Sequence, residues 1–355
     1  MAQKILTHHE HRAIDRDYRK AARMAHLLYV SADQEGIVRQ KKGKGYRYTY
    51  RGKHITSEAQ LDRIRRLAIP PSWSQVWICP HARGHIQATG NDLNGRKQYR
   101  YHEGWNALRN ETKFHRLLEF GKALPKLRRA IRRDMAEPSL SATHVMATVI
   151  ELMQHTYIRV GNSDYEKRYG SYGLTTLKDK HVEVKKDTIR FCFKGKKGVL
   201  QEITLRHPRL ARLVKQCRDI PGKELFQYYD GQGRRRSVDS GMINTYIREA
   251  TGNDFSAKDF RTWAGSLHAL SCLLSQPEDQ HVTGRRKVLV EVFDTVSKKL
   301  GNTRSVCKKY YVHPGLVRMY EEGKLSGCLE SGKLKAPSGL GRQEKLLLQI
   351  LQCCC

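Results

Sequence analysis

Two adjacent tyrosines near the end of the chain, Tyr310 and Tyr311, are the side chains with the clearest potential for covalent chemistry. The sequence around them, KKLGNTRSVCKKYYVHP, is rich in lysine and arginine, and no acidic residue occurs between Ser297 and Met319. This charge would draw an anion to the tyrosines. A phenol beside a bound phosphodiester could act as a nucleophile, whereas a lone tyrosine in a helical hairpin is usually a packing residue. Partners elsewhere in the chain must decide between the two roles.

Two arginines are candidates for binding that anion. Arg159 lies at the end of the helical pattern SATHVMATVIELMQHTYIRVG, where its simplest role would be to satisfy the negative end of the helix dipole. Arg261 begins an apolar helix, KDFRTWAGSLHAL, and a buried guanidinium needs a negative partner. The sequence leaves two partners open for Arg261, which are the nearby Asp259 and a bound phosphate.

A third cation, Lys196, lies in the turn of a predicted β-hairpin. The segment HVEVKKDTIRFCFKGKKGVLQEITLR places Ile189, Phe191 and Phe193 on one face before a GKKG turn. Neighbouring lysines share this turn, and lysines at a hairpin tip are usually only solvated. Lys196 is therefore a candidate only in combination with the arginines and the tyrosines.

The charge of the whole chain indicates nucleic acid as a partner. Lysine and arginine number 66 against 35 aspartate and glutamate, which gives a formal net charge of +31 at pH 7. This excess is spread along the chain, as in a protein that neutralises many phosphates, so we favour nucleic acid over a membrane surface or an acidic protein. No apolar run approaches the roughly 20 residues of a membrane span, and MAQKILTHHEHR lacks a signal-peptide core. We expect a cytoplasmic protein with no membrane partner.

The nine cysteines include no CxxC pair and no His/Cys cluster at zinc spacing, so we expect neither a disulfide framework nor a structural metal. No Gly-rich loop ends in GK[ST], and no carboxylate cluster suits Mg²⁺. We therefore predict no metal and no small-molecule cofactor. Cys353, Cys354 and Cys355 end the chain, and exposed thiols there invite oxidation. No function follows for them from the sequence.

A basic and aromatic hairpin is predicted in HIQATGNDLNGRKQYRYH. Period two puts Tyr99 and Tyr101 on one face of its second strand and Arg100 on the other. Such a strand could face a DNA groove, and the candidate contact residues are Arg96, Lys97, Gln98, Tyr99 and Tyr101. The earlier segment IVRQKKGKGYRYTYRGKHIT alternates in the same way, either as a cationic strand pair or as an edge hairpin protected by lysines.

Shifts in composition divide the chain into four predicted segments. They are a polar helical arm, an N-terminal DNA-binding domain, a second domain that carries the tyrosines, and an extension of uncertain role, at residues 1–29, 30–135, 136–322 and 323–355. The linker between the two domains is placed around Pro138. After Pro221 the pattern predicts helix, with the loop DGQGRRRS inside it.

The motifs RVGNSDY, GLTTLKDKHV, FKGK, KDFRT and LGNTRSVCKKYYVHP, in this order, resemble the type IB DNA topoisomerases, specifically the small poxvirus-like bacterial branch. IPPSWSQVWICP and GRKQYRYH are similar to the N-terminal domain of that branch, and the resemblance covers about residues 30–320. It implies an α+β fold with a small, mainly β N-terminal domain and a larger, mainly α catalytic domain of the tyrosine recombinase/type IB topoisomerase kind. The two domains would form a clamp around duplex DNA.

The resemblance implies that the catalytic positions are held by Arg159, Lys196, Arg261 and Tyr311, with Tyr310 as the fallback nucleophile. The poxvirus and eukaryotic enzymes have histidine where this chain has Asn302, whereas the bacterial relatives resemble this chain. Asn302 could donate a hydrogen bond but could not supply an imidazolium charge. Tyr165 in RVGNSDY and Lys308 beside the tyrosines are further candidates for contact with DNA.

The activity implied is relaxation of supercoiled double-stranded DNA by a monomer in the bacterial nucleoid. One strand would be cut through a 3′-phosphotyrosyl bond, swivel and be resealed without ATP or metal. A tyrosine recombinase or integrase is the enzymatic alternative, although KDFRT lacks the usual histidine before its arginine. The other alternative is a non-catalytic basic DNA-binding protein in which Tyr311 is structural.

Overall fold

The computed structural model describes residues 8–15, 17–43, 45–93, 95–137, 140–276, 281–331 and 337–354. These residues form two compact units, Met1–Arg116 and Leu117–Cys355. The long helix α4, Glu103–Asp134, contributes to both units. The boundary placed near residue 135 from the sequence stays a prediction, and Pro138 lies outside the described residues.

Unit 1 is built around a six-stranded antiparallel sheet in the order β3-β2-β1-β4-β5-β6. The strands are Ile37–Lys42, Gly45–Tyr50, Lys53–His54, Ser74–Ile78, Ile86–Asn91 and Lys97–Tyr101. Both hairpins predicted in this region are present, as the pairs β1–β2 and β5–β6. Helix α3, Glu58–Arg66, ends before two prolines, as the sequence predicted, and buries Ile64 against the sheet with Ile37 and Ile78.

The N-terminal helices, α1 and α2, span His8–Ile14 and Tyr18–Met24. The arm predicted from the sequence is helical here, but it is not simply polar. Ile14 is fully buried and shares an apolar cluster with Trp105 and Leu108 at the beginning of α4. These helices are therefore packed as part of unit 1.

Unit 2 is mainly helical and contains a three-stranded antiparallel sheet, β7-β8-β9, and a two-stranded hairpin, β10-β11. Its strands are Val182–Lys185, Thr188–Lys194, Leu200–Arg206, Gln227–Tyr229 and Arg235–Ser237. After α4 its helices are α5 Ala142–Thr156, α6 Ser163–Tyr169, α7 Pro208–Arg218, α8 Ser240–Thr251, α9 Ala257–Leu274, α10 Val282–Leu300, α11 Arg304–Tyr310, α12 Pro314–Glu321, α13 Leu325–Ser331 and α14 Arg342–Cys353. No helix among the described residues is long and apolar enough to cross a membrane.

The small sheet of unit 2 extends the hairpin predicted around Lys196. Strand β8 pairs with β7 on one side and β9 on the other, so the segment forms three strands where the sequence predicted a single hairpin. Ile189, Phe191 and Phe193 are buried on one face, which confirms the predicted alternation. The buried face fixes the register of β8 and thereby the position of the turn that follows it.

The sequence predicted helix after Pro221, interrupted by a loop, and this prediction was wrong. Residues 230–234 of DGQGRRRS form the turn of the β10–β11 hairpin, and the remaining residues form strand β11 before α8 begins. The carboxylate of Asp230 accepts hydrogen bonds from the backbone N–H groups of Gln232 and Arg234, at 3.0 and 2.9 Å. Gly233 adopts the left-handed conformation, with φ of 71°. These local bonds close a turn that a count of apolar spacing could not detect.

The C-terminal helix α14 is packed into the core of unit 2. Leu347, Leu348, Ile350 and Leu351 are all buried in the main hydrophobic cluster. Glu344 on the same helix accepts two hydrogen bonds, at 2.8 and 2.9 Å, from the Arg128 guanidinium of α4. The described part of the C-terminal extension is therefore integral to the fold of unit 2.

We expect Leu347→Ala to destabilise the protein by about 2–5 kcal/mol, because Leu347 is 0% exposed and its truncation would leave a cavity in the core. Urea unfolding monitored by circular dichroism would measure the change. Leu274→Ala in α9 is the matched control, since Leu274 is 42% exposed. Equal losses in the two variants would contradict the structural role of α14.

Candidate active site

The paired tyrosines follow a helical hairpin that bends at a glycine. Helix α10 ends at Leu300, and Gly301 has a left-handed φ of 58°, as the sequence predicted. The hydroxyl of Thr303 accepts a hydrogen bond from the Val306 N–H and begins α11. Tyr311 directly follows α11, and its N–H donates to the Cys307 carbonyl at 2.9 Å. This short helix therefore fixes the backbone of Tyr311.

Tyr311 lines a cleft of about 770 Å³ in unit 2. Three other residues predicted from the sequence line the same cleft, namely Arg159, Lys196 and Asn302. Tyr310 is not among its described lining residues and is 39% exposed. The structure thus brings the two tyrosines into different surroundings, and the cleft favours Tyr311 for the chemistry.

Arg261 lies against the ring of Tyr311 and is the fifth of the residues predicted as catalytic. Its guanidinium carbon lies 5.2 Å from the centre of the Tyr311 ring, and its side chain is buried. It also lines a small cavity of about 20 Å³ together with Arg159 and Lys196. The five residues predicted as catalytic therefore meet in one region of unit 2, although their roles stay predictions.

The buried guanidinium of Arg261 is held by two helix ends. It donates to the carbonyl of Tyr157, which directly follows α5, and to the carbonyl of Leu300, the last residue of α10, the latter at 2.6 Å. Carbonyls at helix C-termini have no partner within the helix and carry partial negative charge. Asp259 instead accepts from the Ser256 N–H at 2.8 Å in its own capping box. The sequence left open two partners for Arg261, which were Asp259 and a bound phosphate. In the structure Asp259 caps its own helix and does not bond to Arg261.

Electrostatics in this group favour negative charge on Tyr311. Burial alone would raise the pKa of the Tyr311 phenol, but Arg261, Arg159 and Lys196 together lower the pKa below its usual value. Burial, with Arg159 adding to it, lowers the pKa of Arg261 to about 10, so Arg261 remains charged at neutral pH. The group is thus arranged to stabilise a phenolate or another anion.

Asn302 contacts Arg159 directly. The Arg159 guanidinium donates to the Asn302 amide oxygen at 2.6 Å and approaches the Gly301 carbonyl at 3.4 Å. The amide nitrogen of Asn302 donates to the Leu300 carbonyl at 3.4 Å, which is a long and weak bond. Asn302 therefore orients Arg159 with its oxygen and keeps a weakly engaged donor. The sequence suggested only the donor role.

We expect Asn302→Ala to slow DNA cleavage by about 10- to 100-fold, because the variant loses a charge-assisted bond to Arg159 and one donor. Asn302→Asp is the matched variant, since it keeps the oxygen for Arg159 but replaces the donor with negative charge near the phosphate. Asp should therefore be slower than Ala in a single-turnover cleavage assay. Activity of Asn302→Asp equal to that of the unmodified protein would show that Asn302 acts only by orienting Arg159.

Lys196 lies in the turn between β8 and β9. The turn is closed by the Gly195 N–H donating to the Val199 carbonyl at 2.8 Å, and Lys197 takes a left-handed φ of 64°. Lys196 and Lys197 both line the 770 Å³ cleft, but Lys196 also lines the smaller cavity beside Arg159. Lys196 is therefore the better candidate of the two for contact with a bound substrate, and Lys197 is the alternative.

Sequence reasoning did not find Gln201, which packs between the lysine turn and the tyrosine hairpin. A Cβ added at Gly301 would lie 2.7 Å from the Gln201 amide oxygen, and a Cβ at Gly195 would lie 2.9 Å from its side chain. Gln201 lines both cavities. Only its place on the strand after the lysine turn could have suggested it.

His268 and Tyr157 were also not found from the sequence. Their rings meet edge to face at 4.9 Å, and Tyr157 has a left-handed φ of 56°. Burial, with Lys299 adding to it, lowers the pKa of His268 to about 4, so this histidine is neutral near pH 7. The unusual backbone of Tyr157 helps to present its carbonyl to Arg261.

The predicted DNA-contact strand is β6, at one edge of the sheet in unit 1. Tyr99 and Tyr101 are 44% and 39% exposed and stack at 5.8 Å, while Arg100 faces Trp73 on the other side. The predicted alternation is confirmed. Lys97 is exposed on the tyrosine face.

Two of the residues predicted to contact DNA in this hairpin have protein partners. Arg96 and Gln98 both donate to the carboxylate of Asp92, at 2.7 and 3.0 Å. Tyr165 and Lys308, which belong to unit 2, are exposed but do not line the described cleft. A role in DNA binding stays a prediction for all of these residues.

The described residues contain one group that could hold a metal ion. His11, Glu111 and His115 place their ligand atoms within 4.8 Å of one another. The group lies in unit 1, and its residues come from α1 and α4, so the spacing along the sequence could not indicate it. In the cleft of unit 2, Glu202 is the only carboxylate among the described lining residues. That lining does not form a multi-carboxylate metal site.

Comparisons with known proteins identify the class. The sequence model described as the catalytic core of eukaryotic DNA topoisomerase I matches residues 102–327, which is more than half of the chain. The one described as the N-terminal domain of bacterial DNA topoisomerase IB matches residues 45–92. Together they cover strands β2–β5 of the sheet in unit 1 and all the residues that line the tyrosine cleft of unit 2.

Individual relatives agree with the family match. DNA topoisomerase 1B of Acanthamoeba polyphaga mimivirus is 33% identical over 296 residues, covering 81% of this chain and 88% of the viral protein. DNA topoisomerase 1B of Vaccinia virus (strain Copenhagen) is 22% identical over 252 residues, covering 70% and 76%. The chain belongs to the type IB DNA topoisomerase family, with the mixed α+β organisation that the sequence predicted.

Proposed function

We propose that this chain relaxes supercoiled DNA by transient cleavage of one strand and that Tyr311 is the nucleophile. The observation that carries the proposal is the convergence of Arg159, Lys196 and Arg261 on this tyrosine within one region of unit 2. A solvated surface would not bury an arginine beneath a phenol. Family membership supports the same activity, because the mimivirus and Vaccinia relatives are named DNA topoisomerase 1B.

The chemical step exchanges one phosphoester for another. The oxygen of Tyr311 attacks a backbone phosphorus, a bond forms between the tyrosine and the 3′ phosphate, and the bond from phosphorus to the 5′ oxygen breaks. The phenol loses its proton, and the departing 5′ oxygen gains one. Resealing is the reverse reaction. Because the phosphoester is conserved, the cycle requires no ATP.

The two arginines and Asn302 are proposed to stabilise the charge that develops on the non-bridging oxygens. Planar guanidinium groups match a phosphate with two donors, and Arg261 keeps its position through bonds to carbonyls rather than to a carboxylate. Within the described part of the chain, no carboxylate pairs with this guanidinium, which leaves its charge for the phosphate. Arg159 is oriented by Asn302 in the same region.

Lys196 is proposed as the general acid that protonates the 5′ oxygen. A guanidinium is generally a poor acid, and Arg261 is in addition buried with N–H groups bonded to the carbonyls of Tyr157 and Leu300, whereas an ammonium can release its proton. Lys196 is exposed and lines the cleft from a turn, so it can approach the leaving group. Of the three cations around Tyr311, it is the one suited to proton transfer.

The decisive experiment is relaxation of supercoiled plasmid in EDTA without ATP, using a plasmid that lacks a defined recombination site. We expect relaxed topoisomers and, after denaturation, protein attached to the 3′ end of the cut strand. Relaxation that requires Mg²⁺ or ATP would contradict the proposal. An adduct formed only at one defined sequence, with no general relaxation, would favour a recombinase, and absence of any adduct would favour a non-catalytic DNA-binding protein.

We further propose that unit 1 takes part in holding the duplex, through the exposed face of β6 that carries Lys97, Tyr99 and Tyr101. A clamp of the two units around DNA is part of this proposal, as are action as a monomer, location in the bacterial nucleoid, and independence from metal and from a membrane. The net charge of +31 supports tight, salt-dependent binding to DNA. A strand swivel at a single cut requires only one protein chain.

A further inference from the structure

Two cysteines far apart in the sequence meet where α13 and α14 pack together. The sulfur atoms of Cys328 in α13 and Cys353 at the end of α14 are 2.7 Å apart, although 25 positions separate the residues. Non-bonded heavy atoms usually keep about 3.5–4 Å. A disulfide has a sulfur separation of about 2.0 Å, so a shift of less than about 1 Å would join them.

We propose that Cys328 and Cys353 are a redox site that forms a reversible disulfide and thereby fastens the C-terminal helix α14 to α13. The proposal is independent of the proposed catalytic function. It gives a role to one member of the terminal cysteine triplet. The third member, Cys355, lies outside the described residues.

The two thiols differ in a way that sets the order of reaction. Cys353 is exposed, whereas Cys328 is 8% exposed. Burial raises the pKa of the Cys328 thiol, and the neighbouring Cys353 raises it further. Because Cys353 is the solvent-exposed thiol of the pair, an oxidant in solution should meet it first.

With oxidised glutathione as the oxidant, the exchange is balanced in two steps. The Cys353 thiolate attacks one glutathione sulfur, which forms a mixed disulfide and releases one glutathione thiolate that takes up a proton. The Cys328 thiol then loses its proton, attacks the Cys353 sulfur and displaces the second glutathione. Two protein thiols are oxidised, and one glutathione disulfide is reduced to two thiols.

The neighbouring Cys354 makes different contacts and serves as an internal comparison. Its sulfur lies 3.5 Å from the Met319 sulfur, and a Cβ added at Gly315 would lie 2.4 Å from it. Both contacts are to α12, which begins shortly after Tyr311. The end of α14 therefore lies between α13 and α12, and a Cys328–Cys353 bond would hold it in that place.

The chemical test uses the full-length reduced protein incubated with oxidised glutathione. After blocking of remaining thiols, non-reducing peptide mapping should join the peptide of Cys328 to the C-terminal peptide. The link should persist in a Cys354→Ser/Cys355→Ser double variant and disappear in Cys353→Ser. A link that survives in Cys353→Ser, a disulfide within the C-terminal peptide, cross-linked dimers, or only glutathione adducts would each overturn the proposal.

The structural consequence has its own measurement. Closing a loop of this length should raise the midpoint of thermal unfolding of the oxidised protein by roughly 5–10 °C over the reduced protein. Cys353→Ser should show no such shift under the same treatment, while Cys354→Ser should retain it. An unchanged or lower midpoint in the oxidised protein would contradict fastening of α14, even if the bond forms.

Discussion

Replacement of Tyr311 by phenylalanine should abolish strand cleavage, with a fall of at least about four orders of magnitude, while duplex binding stays within about twofold. The variant removes the single oxygen that would attack phosphorus and removes no positive charge. The local structure should survive, because phenylalanine keeps the ring that lies over Arg261, and the backbone contacts of residue 311 do not change. Its carbonyl accepts from the Ser266 hydroxyl at 3.3 Å, and Gly265 leaves no room for a Cβ beside it.

Tyr310→Phe is the matched control, since it makes the same chemical change one residue earlier on an exposed side chain. We expect this variant to cleave and relax DNA nearly as well as the unmodified protein. Denaturing gels of end-labelled duplex would measure the covalent adduct, and filter binding would measure affinity. An adduct in Tyr311→Phe that disappears only when Tyr310 is also replaced would move the nucleophile to Tyr310.

Replacement of Lys196 by alanine should slow cleavage by roughly 10²- to 10⁴-fold, the range usual for loss of a general acid. A substrate with sulfur in place of the bridging 5′ oxygen separates proton donation from simple charge stabilisation. A thiolate leaves without protonation, so this substrate should restore most of the lost rate in Lys196→Ala. Single-turnover cleavage of both substrates measures the ratio.

Two controls make the sulfur experiment specific. Arg261→Ala should stay slow with the sulfur substrate, because its proposed task concerns the non-bridging oxygens. Lys197→Ala tests the neighbouring lysine that also lines the cleft. Rescue of Lys197→Ala instead of Lys196→Ala would transfer the acid to Lys197, and rescue of neither would remove this turn from proton donation.

Local sequence signals predicted much of the site. Gly301 after an apolar helical pattern predicted the bend before α11, and the alternation around Phe191 predicted the buried face of β8. Arg159 was placed correctly after α5. In each case the signal lies within a few residues of the feature, because helix ends and strand faces are set by neighbours in the chain.

What the sequence could not predict depends on contacts between distant segments. The carbonyl partners of Arg261 come from residues 104 and 39 positions away. The packing of Gln201 against Gly301 and the approach of Cys353 to Cys328 likewise require the folded chain. The missed β10–β11 hairpin is different, since its turn residues were visible but were read as an interruption of a helix.

The two carbonyls that hold Arg261 make the proposed cutting activity depend on correct folding. An enzyme that cuts DNA is dangerous if a partly unfolded molecule can cut without resealing. Here one guanidinium joins the end of α5, next to Arg159, to the end of α10, next to Asn302. If either helix end detaches, Arg261 loses an anchor and the cationic surroundings of Tyr311 are dispersed. With Tyr311 as the proposed nucleophile, the ability to cut a strand would depend on the same fold that must hold the broken ends.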